Sequence, residues 1–286
     1  MISPNLPKRE EFLRKKRNKR LLKYGLFLFL IIFIIALTSY ISHKPQIRIS
    51  NVELSGEVLV TQSEIEYKSL QYLSGSYLWL FPKNNAGWYP RKGLENYLKE
   101  LFKRIDTVDI HLKDFETLSV IITEKKPFAI WCDDVGEPWQ ENTGTNKPKC
   151  YFMDQISTIF SEAPEFSGDA YFKYYGLVTE INPIGTEYIA STTEFSEISD
   201  FVGRVKKLGI QPQYIIAKDN TEFSLILLGG GQIYFDTKES LSKVADNLEA
   251  LLKTPELALN KSKILPVDYI DLRYGNKLFY KLKTNK

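Results

Sequence analysis

Residues 108–123 read VDIHLKDFETLSVIIT, and their spacing decides the fold class of the region around them. Val108, Ile110 and Leu112 alternate with Asp109, His111 and Lys113, and then Leu118, Val120 and Ile122 alternate with Ser119, Ile121 and Thr123. Successive strand side chains point to opposite faces, so a period of two predicts two half-buried strands. Upstream the period changes: Leu94, Tyr97, Leu98, Leu101, Phe102 and Ile105 recur at helical spacing from Pro90 onward. Before them, Thr61 and Glu64 have the spacing of a capping box. A short helix carrying Ile65, Leu70 and Leu73 follows and ends at Ser74-Gly75. Ile47–Val60, with Ile47, Ile49, Val52 and Leu54 ahead of Ser55-Gly56, suits a first strand. The order strand, helix, helix, strand, strand over residues 46–126 predicts a small α+β unit with its helices on one face of a three-stranded sheet.

Pro127 marks the far boundary, because proline cannot donate a ladder hydrogen bond inside a continuing central strand. Beyond it, residues 127–283 predict a second, β-rich mixed domain with two helices. Strands are expected at Phe128–Cys132, Cys150–Met153 and Ile156–Phe160, then an irregular, Tyr-rich stretch to about Glu194. A helix over Ser196–Leu208 presents Ile198, Phe201, Val202, Val205 and Leu208. Strands Tyr214–Ala217, Phe223–Leu228 and Gln232–Phe235 follow, the last two joined by a turn at Gly229–Gly231. A second helix over Lys238–Lys253 turns Leu241, Val244, Leu248, Leu251 and Leu252 inward, and Tyr269–Arg273 and Lys277–Leu282 close the chain as a hairpin.

On the N-terminal side, Tyr24–Ile41 is an apolar run of 18 residues without a charge. At 1.5 Å per residue it covers about 27 Å, against a hydrocarbon core of roughly 30 Å. A buried core helix would show a polar face over five turns, and a cleaved signal peptide would have a shorter apolar region and a small-residue cleavage site. The run instead leaves through Ser39-Tyr40-Ile41-Ser42-His43-Lys44 and reads as an uncleaved transmembrane helix over residues 24–42. Residues 1–23 carry nine Lys or Arg and two Glu, a net +7, so the whole-chain charge of +3 leaves −4 for the rest. Cationic flanks stay inside, which predicts a cytoplasmic basic tail and an extracytoplasmic bulk. Basic tails can bind nucleic acid, but one lying against a span reads as a topology signal in contact with anionic membrane lipid.

Cys132 and Cys150 flank a polar stretch that looks like an insertion, and each adjoins an aromatic strand. In an oxidising compartment that layout predicts a disulfide, with two buried thiols as the alternative. Catalytic sets are sparse. His43 lies beside the span and His111 on the polar side of a strand, and no Cys/His spacing matches a metal motif. Ser240 and Lys243 match Ser-x-x-Lys without the companion motifs that chemistry needs. Gly229–Gly231 does not open a helix, so it is not a phosphate loop. Asp133, Asp134 and Glu137 read as a solvated loop face, and Asn260-Lys261-Ser262 is a glycosylation sequon only where the source modifies Asn. No enzyme activity, cofactor, metal or small-molecule substrate is expected.

The order of elements after the span, closing with Glu124-Lys125-Lys126-Pro127-Phe128-Ala129, resembles the POTRA domain of the FtsQ/DivIB cell-division family. Lys125 stands where that family usually has Arg. The second half is also similar to that family: Asp154-Gln155-Ile156-Ser157 places Ser157 where Gly is usual, and Tyr269-Ile270-Asp271-Leu272-Arg273-Tyr274 fits its final-strand pattern. The resemblance covers about residues 20–283 and rests on the order of short motifs. It implies a non-enzymatic septal scaffold of the plasma (inner) membrane that links early and late division proteins and helps to regulate septal peptidoglycan synthesis. It also implies partners, the small coiled-coil proteins FtsB and FtsL and other divisome membrane proteins, with the coiled-coil pair docking by strand addition on the last strands. Arg273 and Tyr274 fall on matching positions, Arg to pair with a partner carboxylate and Tyr as an anchor, with Gly275, Lys277 and Phe279 included as neighbours. The alternative for that pair is an Arg273 bound within its own domain and a Tyr274 in the core. The competing functional expectation is a POTRA-type chaperone or secretion component; a cell-wall enzyme would need a convergent pocket.

Overall fold

The computed structural model describes residues 7–56, 59–133, 149–164, 170–257, 264–275 and 277–283. The protein is α+β, with one N-terminal apolar helix and a large mixed sheet. It divides into two compact units, Met1–Glu124 and Lys125–Lys286.

The first unit begins with α1 (Pro7–Ser42), so the helix continues back from the apolar run through the basic segment instead of starting at residue 24. Its Phe12–Ser42 part has a mean hydropathy of 2.5 in its most apolar window, and none of that window is buried against the protein, as a helix long enough to span a bilayer requires. The chain then forms β1 (Asn51–Ser55), α2 (Gln62–Tyr72), the two-residue strands β2 (Ser76–Tyr77) and β3 (Phe81–Pro82), α3 (Arg91–Leu101), β4 (Ile105–Leu112) and β5 (Thr117–Glu124). Strand β5 is central in the order β1-β5-β4, parallel to β1 and antiparallel to β4. Val108, Ile110, Leu118, Val120 and Ile122 face a core shared with Ile65 and Leu73 at α2 and Leu94 and Leu98 of α3. The capping box at Thr61 and Glu64 forms.

The first strand is shorter than Ile47–Val60. Pro45–Ile47 is a 3-10 turn, and Gly56 takes φ 126° where a Cβ would collide with the Ile122 carbonyl. The β2–β3 ladder between the helices is an addition to the expected order.

The second unit comprises β6 (Ala129–Cys132), β7 (Cys150–Met153), β8 (Ile159–Glu162), β9 (Lys173–Tyr175), α4 (Thr192–Lys207), β10 (Pro212–Ala217), β11 (Glu222–Leu227), β12 (Gln232–Asp236), α5 (Leu241–Leu252), β13 (Val267–Tyr274) and β14 (Lys277–Leu282). Among the described residues its nine strands form one sheet in the order β14-β13-β12-β11-β10-β9-β6-β7-β8. Phe201, Val205, Val244 and Leu248 of the two helices join Leu225, Ile233 and Ile270 of the sheet in one core.

Three local differences have physical causes. Strand β9 lies inside the stretch expected to be irregular and pairs in parallel with both β6 and β10. Helix α4 starts earlier because Ser191 accepts a hydrogen bond from the Glu194 N–H as its N-cap. Strand β8 starts later because residues 154–158 form a turn, with Asp154 Oδ1 accepting from the N–H groups of Ile156 and Thr158. Within that turn Ser157 takes φ 68° and is fully buried, its Oγ donating 2.7 Å to the Ile189 carbonyl. That bond holds a left-handed conformation which otherwise favours glycine.

Candidate functional site

The C-terminal hairpin carries the residues singled out from the sequence. Strand β13 is parallel to β12 over Tyr269–Asp271, which leaves its other side to β14. Strand β14 ends the sheet, with β13 its one neighbouring strand among the described residues. At the opposite end, β8 is covered: the Ile159 N–H donates to the Thr186 carbonyl, and the Gly185 N–H donates to Ile159. The two sheet edges are therefore unlike. An uncovered edge leaves N–H and C=O groups to solvent or to an incoming strand.

Along β13 the register slips between Asp271 and Tyr274, so Leu272 and Arg273 stand opposite Leu278 alone. Bulges of this kind re-aim side chains. Arg273 donates from Nε and Nη2 to both carboxylate oxygens of Asp271, at 2.9 and 2.6 Å, and from Nη1 to Glu222 Oε2 at 2.8 Å. Its guanidinium also lies 5.4 Å from the centre of the Tyr234 ring. Hydrogen bonding to Asp271 raises the Arg273 pKa further above its already high ordinary value. Burial pushes the Asp271 carboxyl up, but the hydrogen bonds from Arg273 outweigh it and leave the pKa below the usual carboxylate value. Of the two readings open for Arg273, the structure has the pair within its own domain.

Tyr274 differs: it is 56% exposed and meets Phe279, itself 49% exposed, edge to face at 5.4 Å. It is therefore not a core residue. Tyr274 is also the cross-strand partner of Lys277. Gly275 turns the hairpin at φ 64°, its carbonyl accepting from Asn247 Nδ2 of α5. The hairpin thus gathers Tyr274, Gly275, Lys277 and Phe279 at one end, with Arg273 behind them as a support. Of the six residues of β14 only Leu278 is partly buried. The outer strand presents exposed aromatic rings and the Lys277 side chain, while the Lys281 ammonium donates 2.8 Å to Asp268 Oδ2 of β13, and among the described residues no strand pairs with its outer side. Such an edge can add an extended segment by main-chain hydrogen bonds, with the rings as side-chain anchors.

Cys132 and Cys150 lie directly opposite each other on β6 and β7 and form a disulfide with S–S 2.04 Å. Lys125 donates 2.6 Å to Asp154 Oδ2, so a cation at the junction fixes the turn that also holds Ser157.

Among the described residues no three His, Cys, Asp or Glu side chains gather as a metal site. Asp133 Oδ1 accepts from the Lys149 N–H; Asp134, Glu137 and the sequon at Asn260–Ser262 lie outside the described residues. Ser240 stands at the N-cap position of α5 without a side-chain capping bond, and Lys243 is ion-paired with Glu239 at 3.0 Å.

No period marks Tyr77–Phe81, whose Leu78 and Trp79 are the most exposed large hydrophobic side chains among the described residues of the first unit after α1. The run of five apolar residues was its signal. No protein-family model and no curated protein matches the chain.

Proposed function

We propose that this chain is a membrane-anchored scaffold of the FtsQ/DivIB type that assembles cell-division proteins at the septum by accepting a partner strand along β14. The observation that carries this reading is the C-terminal edge, uncovered among the described residues, with Tyr274 and Phe279 paired in solvent beside it. The first unit supports it as a POTRA domain, through two helices against a three-stranded sheet with β5 in the centre. Ordered motifs add weight: Lys125 on Asp154, and the Asp271-Leu272-Arg273-Tyr274 run next to the edge.

In this reading α1 spans the plasma membrane, and the net +7 of residues 1–23 keeps the N-terminus in the cytoplasm. The part of the first unit after α1 and the whole second unit are then extracytoplasmic, a compartment in which the Cys132–Cys150 bridge persists. The partner is a small coiled-coil division protein of the FtsB and FtsL kind, which contributes an extended segment bearing an apolar side chain for the Tyr274–Phe279 pair and a carboxylate for Lys277.

Replacing Tyr274 with Ala tests the assignment. It should lower capture of that partner by about tenfold or more, the scale of losing one aromatic anchor, while leaving the thermal melt of the purified protein nearly unchanged because the ring is mostly exposed. Undiminished capture would remove the edge from the interface. A fluorescent fusion should form a mid-cell ring in dividing cells, and uniform membrane signal would count against a division role.

A further inference from the structure

We infer that the β2–β3 hairpin tip, Leu78–Trp79, is an interfacial membrane anchor that dips into the outer headgroup and acyl boundary beside α1. The inference rests on α1 spanning a bilayer and is independent of what binds β14.

The direction of the hairpin comes from its contacts with the end of the helix. Asn85 Nδ2 donates 3.1 Å to the Ser42 carbonyl, and Ser39 Oγ donates 2.7 Å to the Leu80 carbonyl. From Asn85 back to Leu80 the hairpin therefore descends α1 by about one turn, toward the middle of the apolar run. Its tip lies beyond Leu80 in that same direction. Ser39 sits near the end of the uncharged stretch, where hydrocarbon gives way to headgroups.

Leu78 is 80% and Trp79 93% exposed, an arrangement that water disfavours and that a bilayer boundary favours. Both take left-handed conformations, φ 48° and 62°, although neither is glycine. Strain of this sort persists where the fold needs the side chains placed in a particular direction. A lysine lies over an aromatic ring both at the end of α1, Lys44 over Tyr40 at 4.7 Å, and in the hairpin, Lys83 over Tyr77 at 5.8 Å. Aromatic rings paired with ammonium groups suit a headgroup layer of phosphates above acyl chains.

The test uses the full chain in phospholipid vesicles containing brominated lipids. Helix α1 has no tryptophan, so bromine quenching of indole fluorescence reports the folded part alone. Wild-type protein should be quenched more by bromines near the headgroup end of the acyl chain than near its methyl end. Trp79→Phe should lose most of that quenching, and iodide in the water should quench Trp79 weakly. Quenching that is equal in wild type and Trp79→Phe, in protein that resists alkaline carbonate extraction, would overturn the inference while leaving the span intact. Release of the protein by carbonate would overturn the span and the anchor together.

Discussion

Arg273 is held by two carboxylates and lies over the rings of Tyr234 and Tyr274, so its loss would take from Asp271 and Glu222 the guanidinium that bridges them. Arg273 and Asp271 have side chains only 22% and 10% exposed. Arg273→Ala should therefore destabilise the protein by about 2–3 kcal/mol in chemical denaturation at neutral pH, the scale of an abandoned partly buried charge. The pH dependence has a definite sign. The folded-state pKa of Asp271 is depressed, so its stabilisation is present above the unfolded value of about 3.9 and is lost as pH falls through the lower folded value. The gap between wild type and Arg273→Ala should narrow on acidification below about pH 4; a gap constant from pH 7 to pH 3 would refute the coupling. Part of this was legible in the sequence. The run ending in Arg273 and Tyr274 pointed to the hairpin, but the division of labour between an inward Arg and an outward Tyr depends on a bulge. A bulge is a property of two strands in register, which no single strand's periodicity carries.

Among the elements, those with long periods could be read and those without could not. The alternation through Val108–Thr123 and the spacing of Leu94 and Leu98 located β4, β5 and α3, because each buries one face against a core. Strand β9, at three residues, and β2 and β3, at two each, are shorter than any period that could announce them. The end of β1 escapes periodicity for another reason. Gly56 ends the strand through its φ of 126° and its closeness to Ile122, a residue 66 positions away in sequence. Gly56→Ala should cost at least about 2 kcal/mol in equilibrium unfolding, from a disfavoured backbone conformation plus the clash. A cost of a few tenths, the usual surface value, would mean that the β1–β5 contact is looser than the structure has it.

For the whole molecule, the disulfide is a covalent tie across the β6–β7 ladder of the second unit. Closing a loop of sequence separation 18 contributes about 3 kcal/mol in the chain-entropy account. The double substitution of Cys132 and Cys150 by Ala should lower the melting temperature by roughly 6–12 °C, and a reductant should shift wild type similarly without affecting the variant. A different consequence follows from the parallel pairing of β1 with β5. Asn51 pairs with Thr117, so the strand nearest the span has its partner near the end of its unit. A chain delivered N-terminus first at 5–20 residues per second presents β1 several seconds before β5. For that interval Val52 and Leu54 have no sheet to join, and the nascent unit is a substrate for proteases and holding chaperones. Chains interrupted before Glu124 never leave that state, so incomplete copies stay exposed to degradation while finished ones bury β1 against β5.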